Sequence, residues 1–207
     1  MKPRVLFFFA MLLAIFAALS FACRPGGNVH HRYTPTDDDA SPADDDATPA
    51  DDDDDSATQS FWTDTTSGLT WQTGSAVGLN NYDWADAKSF CTGVKWDGMT
   101  GWRLPTIAEL RTLVRECPAT GTGGTCGVTY GCLQSSCLDS TCGGCDSGGG
   151  PGPVGEYLPP QITGPSGWYW SSSIVTDLSD QAWIIQYDGA TINIGLLGSQ
   201  NVVRCVK

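Results

Sequence analysis

Sulfur gives this chain most of its chemical options. It has nine cysteines, of which Cys23 stands near the start and the other eight are Cys91, Cys117, Cys126, Cys132, Cys137, Cys142, Cys145 and Cys205. Cys142-Gly143-Gly144-Cys145 has the two-residue spacing of a thiolate pair, and Cys132 with Cys137 would complete a four-thiolate zinc site. A reactive redox pair is a second reading, although no βαβ pattern surrounds the motif. In an exported chain an even set of eight reads as four disulfides, which leaves no thiol and requires no metal or cofactor. Other chemistry is poorly supplied. Ser171-Ser172-Ser173 has no histidine near it, since the two histidines are the adjacent His30 and His31, so Ser–His catalysis is excluded. Asp runs between residues 37 and 55 lack the glycines that fold a calcium loop around its ion. Trp168, Tyr169 and Trp170 are the candidate ligand contacts, as rings that could stack on a sugar. Strand alternation turns at least one of them into core. Arg103 reads as a side chain fixed by a carboxylate or carbonyls, and Glu109 as a capping residue.

The start of the chain gives an address. Lys2 and Arg4 precede Val5 to Ala22, an uncharged apolar run of roughly 18 residues. Leu19-Ser20-Phe21-Ala22-Cys23 resembles a bacterial lipoprotein processing site. By that resemblance residues 1–22 are a signal peptide and Cys23 is the lipid attachment, with a lipid anchor making the membrane a partner. Arg24 after the cysteine points to the outer membrane or cell surface, and plain secretion is the alternative.

Residues 23–58 read as a spacer. Thr34 to Ala57 holds three imperfect units, TPTDDDA, SPADDDA and TPADDDDDSA, with no recurring apolar seam. Asp repulsion and Pro stiffness predict a disordered, stretched segment. At ~3.3 Å per residue its roughly 36 residues reach about 120 Å fully extended, against about 30–36 Å as a flexible coil. The formal charge of −12 is concentrated here: from Ser56 on, 12 acids face 7 bases, a net of −5. Neither part is basic, so no nucleic-acid partner is expected.

Residues 59–207 suit one domain. Asp83 as N-cap with Asp86 three positions on predicts a helix that places Trp84, Ala87, Cys91 and Val94 on one face. Thr106 and Glu109 form a capping box for a second helix with Ile107, Leu110 and Val114 as its buried stripe, Leu113 beside it, ending at Cys117-Pro118. Phe61-Trp62-Thr63 and Leu69 to Gln72 read as an opening hairpin. Trp168 to Trp170 reads as a short strand, and Asp188-Gly189 turns a hairpin between Ala182–Tyr187 and Ala190–Ile194. Asn201 to Lys207 reads as a β-branched closing strand. The class is α+β. Between helices and strands lies a Cys-rich insert, 117–155, too poor in apolar residues to hold itself without bridges.

Several segments occur in the order of one family: Trp62-x-Asp64, Gly68-Leu69-x-Trp71-Gln72, Trp84-x-x-Ala87-x-x-x-Cys91, Gly101-Trp102-Arg103-Leu104-Pro105-Thr106 with Glu109-Leu110, Tyr169-Trp170-Ser171-Ser172, and Val203-Arg204-Cys205-Val206. Over Ser60 to Lys207 the chain resembles the Lcl C-terminal domain family, named for a bacterial collagen-like surface adhesin. The resemblance implies a C-type-lectin-like fold in which Cys91 and Cys205 are joined. The insert from Cys117 to Cys145 lies outside the family's common core, and the tripeptides that hold calcium and sugar in C-type lectins are missing. The expected function is a non-enzymatic surface binding or adhesion module for an extracellular glycan or protein. A structural envelope lipoprotein is the alternative. An enzyme of the formylglycine-generating type, which shares a related fold, would need free thiols.

Overall fold

The computed structural model describes residues 61–74 and 81–207. The expected leader at 1–22, Cys23, His30, His31 and the expected spacer at 23–58 lie outside the described residues. Strands β1 (Phe61–Thr63) and β2 (Thr70–Gln72) pair antiparallel, with Trp62 opposite Trp71. The turn between them is closed by Asp64, whose backbone bonds both Leu69 and Gly68. This is the opening hairpin read from the sequence.

After β3 (Asn81–Tyr82) comes helix α1 (Trp84–Gly93). Its N-cap is Asp83, which accepts from the Asp86 amide at 2.9 Å, satisfying a donor that the first turn leaves unpaired. Ala87 and Cys91 are fully buried, while Trp84 and Val94 at the rims of the face are half-buried. Helix α2 (Ile107–Thr112) carries the complete capping box of Thr106 and Glu109. It is shorter than the sequence predicts and stops at Thr112 instead of Cys117-Pro118. Its last bonds tighten to three-residue spacing, Leu113 to Leu110 and Val114 to Arg111, and Glu116 takes a positive φ of 59°. The apolar stripe nevertheless holds: Ile107, Leu110, Leu113 and Val114 are all buried.

The main sheet has five strands in the order β3-β7-β4-β5-β6, where β4 is Trp168–Ile174, β5 Gln181–Gln186, β6 Thr191–Leu196 and β7 Asn201–Val202. The β5–β6 ladder is regular from Gln181–Leu196 to Gln186–Thr191, turning through Asp188-Gly189 as expected. Strand β4 is longer than its aromatic start suggests and shifts register between Trp170 and Ile174. Two core clusters form. Tyr169, Trp183, Ile185 and the α2 stripe belong to one, together with Trp71. Trp170, Ala182, Ile184, Trp102 and the α1 residues Ala87 and Cys91 belong to the other. Alternate residues of β4 and β5 therefore enter different clusters, so these strands are buried on both faces.

The class is α+β, with two α-helices among the described residues and sheets that are antiparallel except where β4 meets β7. Cys91 on α1 is bonded to Cys205 beyond β7, across 114 residues, which is the long bridge that the family resemblance implies. The closing segment is also pinned by Arg204. This fully buried guanidinium donates to the backbone carbonyls of Gln72 and Thr163 and faces the Tyr169 ring at 5.4 Å.

The six cysteines of the insert pair in a nested pattern. Cys117–Cys145 encloses Cys126–Cys142, which encloses Cys132–Cys137. Cys117, Cys126, Cys137 and Cys142 are buried members of the first core cluster. The insert thus contributes to the common core largely through sulfur. Its other anchor is Arg111 of α2, buried at 3% exposure, which donates to the backbone carbonyls of Thr120 (2.8 Å), Gly121 (2.9 Å), Gly124, Cys126 and Val128. Gly144 closes the insert against the β5–β6 turn. Its φ is +77°, and a Cβ there would sit 2.1 Å from the Gly189 carbonyl oxygen, so only glycine fits.

Candidate functional site

The aromatic residues singled out in the sequence do not form a ligand platform together. Tyr169 and Trp170 are fully buried. Their polar atoms are spent inside the protein: Tyr169 Oη donates to the Pro165 carbonyl and Trp170 Nε1 to that of Tyr82, both at 2.8 Å. Trp168 is half-buried against the α1-side core. The thiolates of a zinc site are not assembled either, because Cys142 is bonded to Cys126 and Cys145 to Cys117, leaving Cys132 bonded to Cys137. Among the described residues no group of three or more His, Cys, Asp or Glu side chains is placed to hold a metal ion.

Surface clefts lined by described residues offer room for a ligand, among them three of about 450, 420 and 210 Å³. The largest, about 450 Å³, lies between the β1–β2 turn, the end of α2 and the start of the insert. At its centre Arg115 Nη2 meets Asp64 Oδ2 at 3.3 Å, with the Asp64 side chain nearly buried and that of Arg115 about a third exposed at 32%. Asp64 also accepts from the Thr66 amide and the Ser67 hydroxyl, each at 3.0 Å. Burial pushes its carboxyl up, but the Thr66 and Ser67 hydrogen bonds and the Arg115 guanidinium outweigh burial and hold it below the ordinary carboxylate range. Arg115 is fixed in turn by the Thr112 and Val114 carbonyls. The walls add the hydroxyl residues Thr112 and Thr122 and the apolar Val114 and Pro118. A fixed ion pair ringed by hydroxyls, with an apolar wall, can orient a polar ligand. The Ser67 hydroxyl does lie against the Asp64 carboxylate, but a carboxylate held below its ordinary range by an ion pair is a weak base.

The second cleft, about 420 Å³, lies between α1 and α2 and includes Lys88, Thr92, Arg103, Thr106, Glu109 and Ser172. Here Arg103 grips Glu109 in a two-pronged bond of 2.7 and 2.5 Å, while Glu109 Oε2 caps the Thr106 amide at 2.8 Å. Burial raises the Glu109 carboxyl, and the Arg103 and Thr106 bonds more than reverse it. Arg103 and Glu109 therefore have the structural roles that the sequence suggested, and Lys88, 4.3 Å over the Trp84 ring, is a further cation lining this cleft. The third and smallest, about 210 Å³, is built by Tyr130, Gly131, Cys132, Leu133, Gln134 and Thr176.

Sequence reasoning missed Asp64 with Arg115 as a pair, and Arg111 as the organiser of the insert. A signal for Arg111 was available. It lies four residues after Ile107, at the helical spacing that puts it on the edge of the buried stripe, where an arginine must find acceptors.

Comparison with curated proteins finds no match. A family model does match: the Lcl C-terminal domain, over residues 60–207. That span holds both core clusters, the long bridge and all three clefts. The chain belongs to the Lcl C-terminal domain family.

Proposed function

We propose that the protein is a non-enzymatic binding module displayed outside the cell, with an extracellular glycan or protein as its ligand. The observation that carries this reading is the Asp64–Arg115 cleft, a preformed site of ligand size with oriented charge and hydroxyls, whose carboxylate is tied up by Arg115 and is a weak base. The cystines support it in two ways. All eight cysteines from Cys91 to Cys205 are bonded in pairs, which suits an oxidising compartment. A thiol-dependent mechanism of the formylglycine-generating type would have no thiol to use among them. The lipid on Cys23 and the acidic spacer would hold the module clear of the membrane surface.

The test is an array of glycans and extracellular proteins probed with the full chain, with and without a calcium chelator. The expected result is retention on a defined ligand, insensitive to the chelator and lost in Arg115→Gln. Failure of the wild-type chain to be retained on any probe would overturn the reading.

A further inference from the structure

Large apolar side chains in the described residues are mostly buried. Three are well exposed, and Tyr130, at 82%, is the aromatic one among them. It sits at the tip of a turn in the insert whose geometry is held from several sides. Thr129 and Cys132 exchange two backbone hydrogen bonds of 3.2 Å, and Cys132 is bonded to Cys137 five residues on. The Leu133 carbonyl accepts from Trp183 Nε1 at 3.1 Å and from the Thr176 amide at 2.9 Å, which fastens the turn to core strand β5 and to the loop after β4. Ser135 donates through its amide and its hydroxyl to the two oxygens of Asp177, each at 2.6 Å. An exposed ring on a turn so constrained loses little conformational freedom when it binds.

Beside the ring is the third cleft, and its chemistry selects a ligand. None of its lining residues is charged, so neither a sulfated nor a cationic group finds a partner there. The nearby Asp177 carboxylate is already engaged by Ser135. The Gln134 amide, with donors and an acceptor, and the Thr176 hydroxyl are exposed and bond no other described residue. A pyranose has an apolar face of C–H groups and an edge of neighbouring hydroxyls. That matches an aromatic face with an amide and a hydroxyl at its rim. A protein partner would require a broad contact with an apolar centre, and Tyr130 is the one well-exposed large apolar side chain lining this cleft.

We infer that Tyr130, Gln134 and Thr176 form a subsite for one neutral hexopyranose unit of an extracellular glycan. This inference rests on the binding-module reading and assigns it a second contact point, away from the Asp64–Arg115 cleft.

The test uses the full chain, a panel of neutral oligosaccharides ending in gluco, galacto or manno units, and heparin as the sulfated comparison. The expected result is binding to at least one neutral oligosaccharide, weakened about tenfold or more by Tyr130→Ala. Tyr130→Phe should keep most of the affinity, since the ring face persists, and Gln134→Ala should fall between the two. Saturation-transfer spectra should place the C–H protons of the bound sugar against an aromatic side chain. Leu196→Ala, an exposed apolar change on β6, serves as the control and should leave binding unchanged. If neutral oligosaccharides bind but Tyr130→Ala has no effect, the subsite is wrong, and loss of that binding in Arg115→Gln would leave the binding-module reading intact. If no neutral oligosaccharide binds while an extracellular protein does, the subsite is equally refuted and the module reading survives. Absence of binding to every glycan and protein overturns both.

Discussion

The sheet with its two helices and the insert at 117–155 are ordered by different physics. The first buries Trp71, Trp102, Trp170 and Trp183 almost completely, and the apolar faces of α1 and α2 lie against opposite sides of β4. Such packing accounts for most of its order, and the Cys91–Cys205 bridge with the Arg204 web fixes the closing segment. The insert has few large apolar residues, and its place is fixed by three nested bridges, five carbonyls gathered by Arg111 and the close approach of Gly144 to the β5–β6 turn. A segment ordered in this way need not hide its side chains. Tyr130, Gln134 and Thr122 all face solvent there, whereas Tyr169 and Trp170 of β4 are consumed by the core. Cross-linking thus makes a rigid surface from a sequence that could not fold alone.

Changes that strike one region and spare the other sharpen this contrast. The largest effect should come from Cys91→Ser with Cys205→Ser, which removes a closure of 114 residues. Loop-closure entropy assigns it about 4–5 kcal/mol, and the loss should appear as a lower denaturant midpoint for the whole domain. Arg111→Met should cost about 3 kcal/mol, because it strands buried carbonyls that a charged donor had satisfied. Unlike the long bridge, it should free the amides of the insert to exchange while β5 and β6 stay protected.

The smallest effect is a pH slope. Burial pushes the Glu156 carboxyl above its ordinary value of 4.5, and the charge of Arg204 opposes this only in part. The unfolded chain therefore loses this proton at lower pH than the folded one. Stability from this group is fully present below the unfolded value and is lost as pH rises toward the folded value. Comparing denaturation of wild type and Glu156→Gln from pH 4 upward, about the range concerned, should show a decline in the wild type that is absent from the variant. Asp64 and Glu109, whose carboxyls are held low, act in the opposite sense at more acid pH in both proteins.

Much of the first region could be read from the sequence, because its signals are local. Asp83 and the Thr106–Glu109 box declare helix starts, Asp188-Gly189 declares a hairpin, and the spacing of Ala87 and Cys91 declares an inward face. The α+β class and the long bridge followed from such motifs together with the family resemblance. The candidate site was less legible. Whether Tyr169 or Trp170 faces water depends on what covers each side of β4, and both sides are covered, so strand alternation leaves neither ring free. Asp64 and Arg115 lie 51 residues apart and meet only through the tertiary fold. Six cysteines allow fifteen pairings, among which spacing alone cannot choose. The Arg111 web depends on carbonyls, which every residue carries and no motif marks.

The most direct measurement of the central claim is hydrogen exchange, residue by residue, in the oxidised wild type and in Cys126→Ser with Cys142→Ser, which deletes the middle bridge of the nest. The expected result is loss of protection across 117–155 with β4, β5 and β6 still protected. Equal loss in both regions, or an insert as protected as before, would contradict an insert held by sulfur on an independently packed core.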